Sequence, residues 1–230
     1  MVDLRLTERF LAAARAGGGG AAGACTACVR VLPVQRAAIV IDEYHAGVQP
    51  WWTSDEVAAG VEAVQATVGE GPAVEALATG LPVPVADLSA GCERWPVFAD
   101  ALARTRASGS MIAMPLRLGT IRFGALDLYR ASPGGLDPPT VSAGLHVARL
   151  ITTQVALARA AAAPGGDARW LEQPLSSRAI HQAAGMVVAQ RGVPVPDAYA
   201  HLRAHAFAHG QSLAEVAAAV VARRIRFDPE

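Results

Sequence analysis

Between residues 176 and 221 the sequence divides into three short amphipathic segments. The residues that begin and end these segments constrain the fold more than any other feature. Gly192 and Pro194 end the first segment and Gly210 ends the second, as glycine and proline commonly do after helices. Ser212 and Glu215 open the third segment with an S-x-x-E capping box. Apolar residues recur at helical spacing in all three: Ile180, Ala183, Ala184 and Val187; Ala198, Leu202 and Ala206; Leu213, Val216, Ala217, Val220 and Val221. Three such short helices bury little apolar surface, so this unit needs a neighbouring domain or a second copy for stability.

The first two segments also carry polar side chains at helical spacing. Arg178, Gln182 and Gly185 recur at i, i+4 and i+7, opposite the apolar stripe of the first segment. In the second segment Tyr199 and Arg203 lie one helical turn apart. Arginine on phosphates and aromatic rings stacked on bases are common in RNA recognition. Solvated arginines and a tyrosine packed between helices would give the same pattern, so both interpretations stay open.

Three blocks of this stretch occur in the order of a known family: Arg178-x-Ile180-x-x-Ala183-x-Gly185-Met186, Ala198-Tyr199-x-x-Leu202-Arg203-x-x-Ala206 and Leu213-x-x-Val216-Ala217. They resemble the ANTAR domain, a small three-helix RNA-binding module of bacterial antitermination regulators. The resemblance covers roughly the last quarter of the chain, and Ala184 stands where many members have a lysine. It implies binding to hairpin loops of leader transcripts, for which the candidate residues are Arg178, Gln182, Gly185, Arg191, Tyr199 and Arg203.

The charge of the chain gives an RNA-binding function little support. Its 20 basic residues, all arginine, balance 20 acidic ones, and residues 165–230 hold seven arginines against six acids. Strong nucleic-acid binders have a distinct basic patch. Two alternatives therefore remain: a dimerising small-molecule sensor without RNA binding, and a helix-turn-helix-like DNA-binding regulator. The DNA alternative is the weaker one, because its reading helix would be LAEVAAAVV, where Glu215 is the single polar side chain.

The larger N-terminal part alternates between helical and strand patterns. Helices are predicted over 3–16, 21–32, 55–68, 73–79 and 95–106, and strands over 37–42, 48–54, 82–88, 110–118 and 121–129. A further helix is predicted over 139–162. The order helix, two strands, helix, strand, helix, two strands, helix predicts an α+β fold with a central antiparallel sheet and flanking helices.

Five blocks of this part also occur in a familiar order and spacing: Gln65-x-x-x-Gly69-Glu70-Gly71-Pro72, Pro82-Val83-x-Val85-x-Asp87-Leu88, Trp95-Pro96-x-Phe98, Pro115-Leu116 and Gly124-Ala125-Leu126-Asp127-Leu128-Tyr129. They resemble the GAF domain, a PAS-like fold, as it occurs in actinobacterial GAF–ANTAR regulators. This resemblance implies a sensor or dimerisation domain with a possible small-molecule ligand, whose identity the residues do not indicate.

The long helix over 139–162 has two apolar stripes: Val141, Leu145, Ala148, Ile151, Val155 and Ala158, and then Val147, Leu150 and Leu157. Two stripes indicate two partners. We expect one stripe to pack on the sheet and the other on the same helix of a second protomer, giving a homodimer; the alternative is a helix buried within one domain. The predicted organisation is a GAF sensor domain at 1–136, a linking coiled-coil helix at 137–163 and an ANTAR RNA-binding domain at 164–230.

No catalytic constellation emerges from the sequence. The Gly69–Pro72 motif follows a helix and lacks the lysine of a phosphate-binding loop. Cys25-x-x-Cys28 has no second ligand pair, so packing in the core is expected rather than zinc binding. We therefore expect a non-enzymatic protein without a metal or cofactor. No apolar run has the length of a membrane span, which favours the cytoplasm. The tail from Arg223 is predicted to fray.

Overall fold

The computed structural model describes residues 4–42, 47–90, 93–105, 107–160 and 175–227. The junction at 161–174, where the third predicted domain begins, lies outside the described residues. Within the described ranges the elements follow in this order: α1 Leu4–Ala16, α2 Gly20–Val31, β1 Arg36–Ile41, β2 Gln49–Thr53, α3 Glu56–Val68, α4 Pro72–Thr79, β3 Val83–Val85, α5 Pro96–Ala103, β4 Ser110–Leu118, β5 Ile121–Arg130, α6 Pro138–Ala160, α7 Leu175–Arg191, α8 Val195–Ala208 and α9 Leu213–Val221.

The five described strands form one antiparallel sheet in the order β2-β1-β5-β4-β3. Strands β4 and β5 form a hairpin whose turn uses Gly119 at a φ of 61°, a left-handed conformation that favours glycine. Strand β1 pairs with β5 from Arg36 opposite Tyr129 to Ile41 opposite Gly124. The predicted α+β architecture with a central antiparallel sheet is confirmed.

Side chains alternate between two helical layers, one on each face of the sheet. Ile39, Leu126 and Leu128 face one layer, where they pack with apolar residues of α1, α2 and α6. Val40 and Ala125 face the opposite way and pack with residues of α3, α4 and α5. This alternation follows from the two-residue period of a strand. Because both faces are covered, the central strands are apolar almost throughout.

Two elements of the N-terminal part are shorter than predicted. The helix expected over 95–106 ends at Ala103, after which the Thr105 amide closes a turn on the Leu102 carbonyl at 2.8 Å. The strand expected over 82–88 pairs only as β3, from Val83 to Val85, on the sheet edge. Its central Pro84 lacks an amide proton, which suits an edge position.

Helix α6 lies close against the sheet. A β-carbon at Gly144 would come within 2.6 Å of the Met114 side chain and 2.9 Å of Leu128, so glycine permits this approach. On the other side α6 contacts α1, where the Thr7 hydroxyl hydrogen-bonds Nε2 of His146 at 2.7 Å. By length and mean hydropathy of 1.2 the segment Pro138–Ala158 would pass for a membrane span, but here it is a core-packing helix.

The two apolar stripes of α6 are covered largely by their own chain. Ile151 and Val155, at 0% and 1% exposure, lie in the core beneath the sheet. Val147 of the second stripe is buried in the same core, and Leu150 is half-buried. Only Leu157 is well exposed, at 58%. Most of the surface expected to contact a second protomer is therefore covered within the chain, and the homodimer stays a prediction.

The cysteines of the C-x-x-C motif belong to this core. Cys25 and Cys28 lie one turn apart in α2, both buried and both free thiols. Burial raises the pKa of Cys28 to about 12 and that of Cys25 well above its usual range. Such thiols stay protonated and unreactive at neutral pH. The two residues pack as small apolar side chains, as predicted.

Helices α7, α8 and α9 form the predicted C-terminal unit, which packs against the N-terminal part. Helices α8 and α9 contact α3, and α7 contacts β2. The amide of Leu213 at the start of α9 donates to the Thr67 hydroxyl of α3 at 3.1 Å. The neighbour that a small three-helix unit requires is thus supplied within the same chain.

Candidate nucleic-acid interface

A compact apolar core holds the three C-terminal helices together. Its buried members come from all three helices and include every apolar position predicted there except Val221, which is half-buried: Ile180, Ala183, Ala184, Val187, Ala198, Leu202, Ala206, Leu213, Val216, Ala217 and Val220. The predicted capping box is confirmed, with the Glu215 amide donating to Ser212 Oγ and the Ser212 amide to Glu215 Oε2. Ala184, at the position of the family lysine, belongs to this core.

The residues after α9 pack on the unit instead of fraying. Ile225 and Phe227 are half-buried against the core, and the Phe227 amide donates to Oε1 of Gln190 on α7 at 3.0 Å. The prediction of a frayed tail is wrong as far as residue 227. Burial of the apolar side chains of Ile225 and Phe227 against the core lowers the free energy of the folded chain. A frayed tail would leave them in water.

The structure places the polar face of α7 on the surface. Arg178, Gln182 and Gly185 are all exposed, and Ala189 extends the same stripe toward the end of the helix. A β-carbon at Gly185 would meet no atom within 4 Å, so the backbone is open to a partner. Within the described residues no carboxylate pairs with Arg178. We call this surface, residues 178, 182, 185 and 189, the α7 stripe.

Tyr199 does not belong to that surface. It is only 1% exposed and is among the largest fully buried side chains of the protein. Its hydroxyl hydrogen-bonds Nδ1 of the half-exposed His181 on α7, and the two rings meet edge to face at 6.1 Å. The structure thus has the tyrosine packed between helices, the alternative weighed from the sequence. From this position the ring braces α7 against α8 and does not reach a stacked base.

Arg203 lies on a different side of the unit, against the N-terminal part. A β-carbon at Gly47 would lie 3.2 Å from its Nη1, and one at Gly69 would lie 3.9 Å from its Nε. Burial lowers the pKa of Arg203, and the nearby Asp42 carboxylate partly offsets this effect. Arg191 is half-buried in the last turn of α7. The six candidate residues therefore do not form one surface: Arg178, Gln182 and Gly185 lie together, and Arg203 is held elsewhere.

The contact between the two parts is imperfectly packed. Gln49 of β2 is 3% exposed, yet neither its amide nitrogen nor its amide oxygen has a hydrogen-bond partner. It borders a cavity of about 40 Å³ that is also lined by Ala63, Ile180 and Leu213. An unsatisfied buried amide typically costs about 1–3 kcal/mol. This junction is therefore weaker than a well-packed core of the same extent.

Three arginines near the C-terminus were missed as candidates. Arg223, Arg224 and Arg226 are exposed and follow α9 directly. With them, residues 175–230 hold six arginines against four acids, a net charge of +2 in a chain with no net charge. Three arginines within four residues, directly after the third apolar segment, were the available signal.

A buried polar network lies in the N-terminal part, between α3 and β5. The Tyr129 hydroxyl donates to Oε1 of Glu62, and Nε2 of Gln65 donates to Glu62 at 2.8 Å and to Asp127 at 3.2 Å. Burial raises the pKa of Glu62 to about 7, and burial together with the Glu62 charge raises the pKa of Asp127 well above its usual range. The side-chain Oε1 of Gln65 also accepts a hydrogen bond from the Ala73 amide at 2.7 Å. This network links α3 and the start of α4 to strand β5.

A more open cleft, of about 410 Å³, lies between α6 and the β4–β5 turn. Leu145, Ala148 and Pro115 form apolar walls, and Arg117 and Arg149 lie at its edge. Such a concave, mostly apolar site with a few polar groups suits a small ligand. In the described part of the chain no group of three histidine, cysteine or acidic side chains is arranged to hold a metal ion.

Comparison with known proteins finds two families. A sequence model of the GAF domain matches residues 22–158, and one of the ANTAR domain matches residues 171–221. No curated protein matches the chain. Among solved structures, the GAF domain of a phosphoenolpyruvate-protein phosphotransferase from Coxiella burnetii is similar, with 15% identity and a TM-score of 0.53 over 70% of this chain and 96% of that one. The corresponding Acinetobacter domain has 12% identity and a TM-score of 0.50, covering 68% of this chain and 96% of that one. These likenesses show the fold of the N-terminal part.

Proposed function

Because the chain belongs to the GAF domain family and its C-terminal helices match the ANTAR domain, we propose that it binds hairpin loops in nascent RNA and controls transcription termination. GAF is a sensor domain, and ANTAR is an RNA-binding antitermination domain. Both are regulatory rather than catalytic domains, so the protein acts by binding. In this proposal the protein is a cytoplasmic regulator, similar to the GAF–ANTAR regulators of actinobacteria.

The observation that carries the RNA-binding proposal is the α7 stripe. Gly185 lies between the exposed Arg178 and the arginines that follow α9. No side chain of the described residues covers its backbone, so a nucleic-acid strand can approach closely. Arginine forks suit phosphate oxygens, and single-stranded loops offer both phosphates and unstacked bases. Holding a hairpin loop in this way stabilises an antiterminator and lets the polymerase read through.

The burial of α9 argues against the DNA-binding alternative. In a helix-turn-helix made of α8 and α9, the second helix would have to enter the major groove. Five of its residues are buried instead: Leu213, Val216, Ala217, Ala219 and Val220. The exposed residues Glu215 and Ala218 offer no cation and no bidentate donor to a base edge.

The first test concerns the α7 stripe itself. Gly185→Leu should weaken binding of a two-hairpin leader RNA at least tenfold, because the new side chain blocks close approach. Leucine favours a helix over glycine by up to about 1 kcal/mol, so the fold should not suffer. Arg178→Ala should weaken binding by about three- to tenfold and lower the slope of affinity against salt by about one phosphate. Filter binding measures both.

Ala218→Leu, at an exposed position of α9, is the matched control for added bulk, and it should bind RNA like the wild type. Circular dichroism checks the helical content of every variant. Wild-type affinity and salt slope in both Gly185→Leu and Arg178→Ala would show that the RNA site lies elsewhere.

The junction between the two parts offers a route for control by the GAF domain. Arg203 is a candidate RNA contact, and it is packed against the N-terminal part near Asp42, Gly47 and Gly69. In that position the guanidinium is partly buried and less available to a phosphate. RNA contact by Arg203 is therefore favoured when the C-terminal unit moves away from the N-terminal part, and a sensor ligand that changes this contact would change RNA affinity.

The second test uses one variant that should open the contact between the two parts and one that should tighten it. Ala63→Glu places a charge on α3 beneath α8 and α9 and should open the contact, strengthening RNA binding about five- to tenfold. The added negative charge would by itself weaken RNA binding, so a gain reports opening. Gln49→Met removes the unpartnered amide at similar volume and should tighten the contact, weakening RNA binding by a similar factor. Small-angle scattering should show a larger radius of gyration for Ala63→Glu, and unchanged affinity in both variants would exclude this mode of control.

A further inference from the structure

Arg223 has an unusual backbone conformation at the end of α9. Its φ is 59°, and among the described residues it is the one non-glycine residue with a positive φ. The turn is a helix C-terminus in which the Arg223 amide donates to the Val220 carbonyl at 2.9 Å and the Arg224 amide to the Ala219 carbonyl at 2.8 Å. Glycine is strongly favoured at this position, since it adopts a left-handed conformation without a β-carbon clash. An arginine at this position makes the folded state less stable than glycine would. Non-glycine residues with a positive φ are found most often at functional sites.

The turn directs the chain back along α7. The Phe227 amide donates to Oε1 of Gln190 at 3.0 Å, and the Ile225 side chain packs on the apolar core. Arg223 and Arg226, which flank Ile225, are exposed. The backbone that carries these two guanidinium groups is therefore anchored at both ends. Anchoring lowers the entropy that the side chains lose when they bind a ligand.

The two arginines line a cleft of about 380 Å³ whose other walls are Met186, Ala189 and Gln190 of α7. Nowhere in the described ranges does a carboxylate pair with Arg223 or Arg226. Ala189 belongs to the α7 stripe, and Met186 follows Gly185 directly. The cleft is thus continuous with the stripe, and it joins an apolar floor to two arginine side chains that pair with no carboxylate of the described residues.

We propose that this cleft binds a backbone phosphate of the RNA that lies along the α7 stripe, with the sugar or base of that nucleotide against Met186 and Ala189. The proposal rests on the RNA-binding function and adds the subsite that grips the strand beyond Gly185. Guanidinium groups bind phosphate oxygens in pairs of parallel hydrogen bonds, which suits two arginines at one cleft. The strain at Arg223 then serves to aim its side chain into the cleft.

Arg223→Gly is the most informative variant. It removes the guanidinium and relieves the backbone, so RNA affinity should fall about tenfold and the salt slope by about one, while the melting temperature stays equal or rises. Arg226→Ala should weaken binding by a similar factor. Arg224→Ala is the matched control, because it removes the same charge from an exposed neighbour that does not line the cleft. It should stay within about threefold of the wild type.

Filter binding of the full chain to a two-hairpin leader RNA, over a range of salt concentrations, measures these effects. Wild-type affinity in Arg223→Gly and Arg226→Ala would overturn the subsite, and so would an equal loss in Arg224→Ala. If Arg178→Ala weakens binding while these two do not, the subsite fails and the proposed function stands. If the wild type binds no RNA, both fail together.

Discussion

Tyr199→Ala is expected to unfold the C-terminal helices rather than only to weaken their contact with RNA. The ring is 1% exposed in a core shared by α7, α8 and α9. Replacing a buried aromatic side chain with alanine typically costs about 3–5 kcal/mol, because apolar burial is lost and a cavity remains. A unit this small has little stability in reserve. Loss of the hydrogen bond to His181 adds to the effect.

Urea denaturation followed by circular dichroism measures this change. Tyr199→Phe is the control, since it keeps the ring and removes only the hydroxyl; it should cost about 1 kcal/mol. RNA binding should fall in Tyr199→Ala in step with the folded fraction. A Tyr199→Ala protein that keeps wild-type stability but loses RNA binding would show that the ring contacts RNA directly, contrary to its buried position.

The stability of the N-terminal part is expected to fall as pH rises from about 4.5 through 7. Burial raises the folded-state pKa of Glu62 from 4.5 to about 7 and raises the pKa of Asp127 well above its usual value. The folded state therefore holds these protons more tightly than the unfolded state, and the stabilisation is complete below the ordinary carboxyl pKa. It is lost as pH rises through 7, by up to about 3 kcal/mol for Glu62 alone.

Thermal melts at pH 5.5, 7 and 8.5 test this pH dependence. Asp127→Asn is the matched variant, because the amide keeps the size of the carboxyl group, can still accept from Gln65 and does not titrate. It should flatten the pH dependence and melt above the wild type at pH 8.5. A wild-type melting temperature that climbs with pH, as paired surface carboxylates would cause, would contradict the buried network.

The periodicity of the sequence predicted the features of the fold that depend on residues close together in the chain. The spacing of Ile180, Leu202 and Val216 identified the core of the C-terminal unit, and the capping box located the start of α9. Short apolar runs likewise located the strands of the sheet. Each of these features depends on residues a few positions apart, where side-chain direction follows from backbone geometry.

Features that depend on distant packing could not be read in this way. The Glu62–Asp127 contact joins α3 to β5 across 65 positions, and neither residue has a local signal of burial. The position of Arg203 depends on how the C-terminal unit docks on α3, since the same residue would be exposed in an isolated unit. In α6, two apolar stripes indicated two partners, but α1 and the sheet, both from the same chain, cover most of them.

Filter binding of the full-length chain to a leader RNA with two hairpins, compared with the same RNA whose loop sequences are scrambled, tests the central claim most directly. The RNA-binding account predicts saturable binding to the intact RNA and at least tenfold weaker binding to the scrambled loops, with affinity falling as salt rises. Equal binding to both RNAs, or no binding at low salt, would contradict it and leave the protein a GAF sensor that does not recognise RNA loops.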